Sequence, residues 1–110
     1  MNAVIKGGWL EIGRVEEIPP SGSRVVRTAL GDIAVFRSSD NALFALADHC
    51  PHKGGPLSQG IVCGHTVACP LHNWCIDLST GGAIAPDEGA TQRYPVKVED
   101  GVVYLNLTRA

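Results

Sequence analysis

Cys50-Pro51-His52 and Cys69-Pro70-Leu71-His72 are the residues of this sequence whose types and spacing carry chemistry. Each segment offers one thiol and one imidazole, and sixteen residues separate the two segments. Two sulfur and two nitrogen donors suit either zinc or an iron–sulfur centre. Their distribution favours the second. A common zinc finger draws its cysteine pair from one element and its histidine pair from another, whereas each segment here supplies a mixed pair. Mixed pairs let both loops reach both metals of a two-iron centre. A zinc-stabilised interaction module with no redox role stays open as the alternative from a different class.

The remaining cysteines and histidines are assigned quieter roles. Four cysteines in a chain whose first residues mix Lys6, Glu11, Arg14, Glu16 and Glu17 with single apolar residues do not follow a signal-peptide pattern. In a cytoplasmic protein such cysteines point to metal or redox chemistry in preference to disulfides. Cys63 and Cys75 are read as small buried apolar residues, with a disulfide between them as the alternative left open. His49 adjoins Cys50, but neighbouring side chains of an extended segment point to opposite faces, so it is expected to be structural or exposed. His65 falls in a turn and is expected to face solvent. Trp74 is assigned to core packing, and Asp87 and Glu88 to a solvated turn.

These loops need a scaffold, and short apolar stretches between turn signals predict an all-β one. Strands are expected over residues 9–12, 24–30, 33–37 and 43–47, with a hairpin turn at Gly31-Asp32 and a proline-rich loop over 18–22. The middle of the chain, about residues 48–86, holds every cysteine, all four histidines and four of the seven prolines. It reads as a loop-rich insertion with short strands at 61–63, 66–68 and 74–78. The β pattern resumes over 93–99, and Asp100-Gly101 predicts a tight hairpin into 102–107. No stretch has sustained helical periodicity. The expected architecture is one domain over residues 1–110: an antiparallel β-sandwich or barrel with a cluster-binding subdomain inserted over about 48–86.

The sequence Cys50-Pro-His-Lys-Gly-Gly-Pro-Leu-Ser58, followed by Cys69-Pro-Leu-His-Asn-Trp74 and Asp77-Leu-Ser-Thr-Gly81, resembles the Rieske family. The resemblance implies a 2Fe-2S cluster with one iron on Cys50 and Cys69 and the other on His52 and His72. Replacing two thiolates by neutral imidazoles removes negative charge, which raises the potential to about −150 to +300 mV from about −400 mV in the all-cysteine plant type. High-potential members carry a hydroxyl donor two residues after the last histidine and a tyrosine four after it; Trp74 and Ile76 stand there in this chain. Gly55 and Leu71 replace the cysteines of their additional disulfide. The low end of the range is therefore expected. Lys53-Gly54-Gly55 is expected to bring backbone N–H groups toward the cluster, and Pro86 resembles the proline loop that covers it.

Composition narrows the function further. The net charge is −2, which leaves no basic footprint for nucleic acid or for an anionic membrane. The sequence has no phosphate loop, no nucleotide fingerprint and no nucleophile with an oriented base. An electron-transfer protein serving a larger enzyme is the expectation, with no stand-alone catalysis. Pro56-Leu-Ser-Gln-Gly-Ile-Val62, Leu71-His-Asn-Trp74 and Pro86-Asp-Glu-Gly89 leading to Tyr94-Pro-Val-Lys-Val-Glu-Asp-Gly101 resemble the small subunit of NAD(P)H-dependent nitrite reductase. That resemblance implies a large partner subunit with flavin, siroheme and a further iron–sulfur centre, reducing nitrite to ammonium in nitrate assimilation or respiration. The Rieske ferredoxin component of a ring-hydroxylating dioxygenase is the other reading.

Overall fold

The structure, a computed structural model, describes residues 5–6, 8–50, 55–70, 74–84 and 89–107. Among these the chain forms eleven strands. In order they are β1 (Ile5–Lys6), β2 (Trp9–Arg14), β3 (Gly22–Thr28), β4 (Gly31–Arg37), β5 (Leu43–Ala47), β6 (Ile61–Cys63), β7 (Thr66–Ala68), β8 (Cys75–Asp77), β9 (Arg93–Tyr94), β10 (Val96–Glu99) and β11 (Val102–Asn106). They build three antiparallel sheets, ordered β1-β2-β11-β10, β3-β4-β5-β9 and β6-β7-β8. The only helical pieces among the described residues are single 3₁₀ turns at Val15–Glu17 and Leu57–Gln59. No helix of the described residues is long and apolar enough to cross a membrane.

The all-β expectation holds, and its departures have local causes. The turn between β3 and β4 is Ala29-Leu30, because Thr28 pairs with Gly31 and Arg27 with Asp32. Gly31 has φ +109°, a conformation that favours glycine, and the Thr28 hydroxyl donates to its carbonyl at 2.8 Å. The turn therefore sits before the glycine. Asp100 and Gly101 both have positive φ, +52° and +77°, as a tight hairpin requires, and Glu99 pairs with Val102 across them. The single strand expected over 93–99 is two. Pro95 has no N–H to donate to a ladder; before it β9 pairs with β5, and after it β10 pairs with β11. The chain changes sheets at that proline.

The β3-β4-β5-β9 sheet is the middle layer. Strand side chains alternate between faces, and on β4 both faces are buried: Ile33, Ala34, Val35 and Phe36 are all at most 1% exposed. Ile33, Val35, Ala45 and Ala47 enter one core with Ile12, Ile18, Tyr94, Val103 and Leu105. Ala34, Phe36 and Leu46 enter a second core with Leu57, Val67, Ile76, Leu78, Cys50 and Cys69. The first core joins the two sheets of the scaffold; the second seats the cysteine-bearing insertion upon it. Phe36 is the largest of the fully buried side chains among the described residues. Phe36→Ala is expected to lower stability by about 3–5 kcal/mol in urea unfolding. A loss under about 1 kcal/mol would show that the second core does not bind the insertion to the scaffold.

Candidate metal centre

The first segment leaves β5 through Asp48, whose N–H donates to Asp32 at 2.9 Å, and His49, whose N–H donates to Ala47 at 2.8 Å. Cys50 follows, and its N–H donates to the carbonyl of Gly55 at 2.8 Å. The second segment leaves β7, and the N–H of Cys69 donates to the carbonyl of Trp74 at 2.7 Å. Each cysteine therefore heads a short loop whose base is closed by its own backbone. Cys50 is 1% exposed and Cys69 is 0%, and both belong to the second core.

Sheet register brings the loops to one end of the insertion. Ile61, Ala68 and Cys75 form the last row of the three-stranded sheet, the row from which the Cys69 loop departs. Gly60 lies against the same place: a Cβ there would come within 2.2 Å of the Ala68 carbonyl oxygen, so only glycine permits this approach. A third segment reaches the same edge, since Ile84 donates to the Cys75 carbonyl at 2.9 Å and Ala83 to Gly89 at 2.8 Å. Two loop bases thus meet at this edge, each closed by a backbone hydrogen bond, and the Cys50 loop shares their core.

Two buried thiols at the heads of closed loops fit the sulfur half of a two-iron donor set. The expected partners His52 and His72 lie outside the described residues, as do Lys53, Gly54, Leu71, Asn73, Pro86, Asp87 and Glu88. Among the described residues no three metal-ligating side chains come together, which follows from two of the four expected donors being outside them. A groove of about 320 Å³ lined by Leu43, Phe44, Leu78, Arg93 and Tyr94 contains neither cysteine, so it is separate from this chemistry.

The expectation of burial for Cys63 and Cys75 is overturned, since both are exposed thiols. In the three-stranded sheet the middle row, Val62-Val67-Ile76, points into the core, and the two flanking rows point outward. Cys63 and Cys75 stand in opposite flanking rows. They are two strands apart and two residues apart along them, about 12 Å, beyond the separation of about 7 Å that a disulfide bridges. Gly55 is buried, His49 is exposed, and Trp74 is half-buried against the second core, as expected of it.

His65 is exposed as expected but has partners the sequence did not disclose. Its Nε2 lies 3.1 Å from Asp40 Oδ2, and its ring sits 5.0 Å from that of Phe44. The β6–β7 turn is thereby tied to the β4–β5 turn. Asp40 accepts the Ser38 hydroxyl as well. The Ser38 hydrogen bond first, and His65 second, hold the Asp40 carboxyl below its ordinary range. In Asp77 the Ser79 hydroxyl and N–H do the same.

The family described as Rieske 2Fe-2S domain matches residues 8–95. The ferredoxin subunit of anthranilate 1,2-dioxygenase from Burkholderia cepacia is 36% identical, over 90% of this chain and 92% of that one. Among solved structures, a complex of reduced oxygenase and oxidized ferredoxin of carbazole 1,9a-dioxygenase superposes with a TM-score of 0.84 at 26% identity, covering 96% of this chain and 98% of the matched one. A structure assigned as an NADH-dependent nitrite reductase small subunit from Mycobacterium tuberculosis gives 0.83 at 20% identity, covering 100% of both chains; at that identity the likeness shows the fold alone.

A carboxyl whose folded pKa is depressed contributes stability above its unfolded pKa and loses it as pH falls through the folded value. Asp40→Asn is therefore expected to be less stable than the native protein at pH 5, with the gap closing as pH falls below about 4. Urea midpoints between pH 5 and 3 test this, and a gap constant with pH would contradict it.

Proposed function

Because the chain belongs to the Rieske 2Fe-2S domain family and so carries a 2Fe-2S cluster, we propose that it is the ferredoxin component of an oxygenase system. In this reading Cys50 and Cys69 hold one iron and His52 and His72 the other. One domain spans residues 1–110, with the cluster-binding subdomain at about 48–86. The observation that carries the proposal is the 36% identity to a dioxygenase ferredoxin subunit across nine-tenths of both chains.

When bound, a Rieske cluster takes up and releases one electron at a time. The protein's part is positional. Cys50 and Cys69 stand in a buried apolar core, and the backbone bonds to Gly55 and Trp74 fix where each loop begins. Ile76 is fully buried and carries no hydroxyl. With Trp74 two positions before it, neither side chain offers an O–H toward the centre. A hydrogen bond to a cluster sulfur raises the potential, so the low end of the Rieske range is assigned.

The second reading, the small subunit of an NAD(P)H-dependent nitrite reductase, is favoured by the segments at residues 56–62 and 94–101. It would place the chain in the cytoplasm beside a large subunit with flavin, siroheme and a second iron–sulfur centre. Tagged protein drawn from its native cells distinguishes the two. The proposal expects a co-purifying oxygenase whose NAD(P)H-dependent hydroxylation of an aromatic substrate requires this chain. A siroheme-coloured partner and NAD(P)H-dependent loss of nitrite would replace it with the second reading.

A further inference from the structure

Asp48 stands two residues before Cys50 and uses both carboxylate oxygens on one partner. Oδ1 accepts the Ser58 N–H at 2.7 Å, and Oδ2 accepts the Ser58 hydroxyl at 2.7 Å. The Ser58 carbonyl in turn accepts the Ser23 hydroxyl of β3 at 2.9 Å, and the Asp48 N–H donates to Asp32, in β4, at 2.9 Å. Ser58 lies in the 3₁₀ turn Leu57–Gln59, whose Leu57 is fully buried in the same core as Cys50. An outer closure, Asp48 to Ser58, therefore encircles the inner one from Cys50 to Gly55. Both ends of the outer closure are tied to the central sheet.

We propose that Asp48, acting through Ser58, is the positioning residue that holds the first ligand loop in register with the Cys69 loop. Geometry supplies the reason. A loop that must present two ligands to one centre needs its ends fixed, and paired bonds to an ionised carboxylate are among the stronger ones available. Asp48 also places a negative charge in the neighbourhood of Cys50, since the two Cα atoms are at most about 7 Å apart. A fixed negative charge disfavours an added electron.

The inference rests on the proposed ligands, and its test separates the two claims. The readouts are the rate of iron loss to a chelator, the EPR line shape of the dithionite-reduced protein, and the midpoint potential. Asp48→Ala is expected to lose iron about ten times faster and to broaden the EPR signal. Ser58→Ala, which keeps the carboxylate and the backbone bond, should be about threefold faster and serves if Asp48→Ala fails to fold. Asp48→Asn can still accept the Ser58 N–H and donate to its hydroxyl. It is expected to restore iron retention and line shape while moving the potential upward. Native rates, line shape and potential in Asp48→Ala and Ser58→Ala would overturn the inference while leaving the ligands standing. Equal changes in Phe36→Ala would overturn it as well, by showing general destabilisation. A native protein with no Rieske signal would remove the ligand assignment and this inference together.

Discussion

The rest of this structure depends on two central strands, β4 and β5, that are buried on both faces. On β4, Ile33 and Val35 turn to one core while Ala34 and Phe36 turn to the other, and on β5 Ala45 and Leu46 divide in the same way. A strand with two apolar faces cannot stand at a surface, since fully burying each large side chain contributes about 1.5–3 kcal/mol. The insertion therefore has to be present for the scaffold to be covered, and the scaffold for the insertion to have a base. The cysteine loops inherit their placement from this layer.

Burial at the base and closure at the rim divide the work of holding the loops. Backbone carbonyls of Gly55, Trp74 and Gly89 take up N–H groups at the three loop bases, so the chain there satisfies its own polar groups without regular structure. Side-chain ties then fix the insertion, through Asp48 to Ser58, whose carbonyl accepts from Ser23 of the scaffold, and through His65 to Asp40. Such charged groups lose little by being partly exposed, and their directionality sets position where apolar packing alone would tolerate sliding.

Much of this was legible from sequence. The strands at 43–47, 61–63 and 66–68 have the bounds expected of them, because the Ser38–Asn41 turn precedes the first and Gly64-His65 joins the other two. The hairpin at Asp100-Gly101 was legible for the same reason. The displaced β3–β4 turn was not, since Gly31 and Asp32 are both turn-formers and only pairing register chooses between them. Burial of Cys63 and Cys75 was misjudged because residue type alone does not reveal which face of a three-residue strand meets the core. Val62 and Ile76, their neighbours, carried the signal that would have corrected it. The ties of His65 to Asp40 and of Asp48 to Ser58 join residues 25 and 10 positions apart, and no local pattern announces such pairs. Cys50 and Cys69 were singled out from sequence by their spacing alone; that both lie in one buried core is a tertiary fact the spacing did not carry.

The most direct test of the account is the nitrogen hyperfine spectrum of the reduced, anaerobically reconstituted protein, compared with that of His72→Cys. Two histidine nitrogen couplings are expected on the two-iron cluster of the native protein. In the variant one coupling and a lower potential are expected, as thiolate replaces neutral imidazole. Absence of nitrogen couplings in the native protein, or a spectrum untouched by His72→Cys, would contradict it.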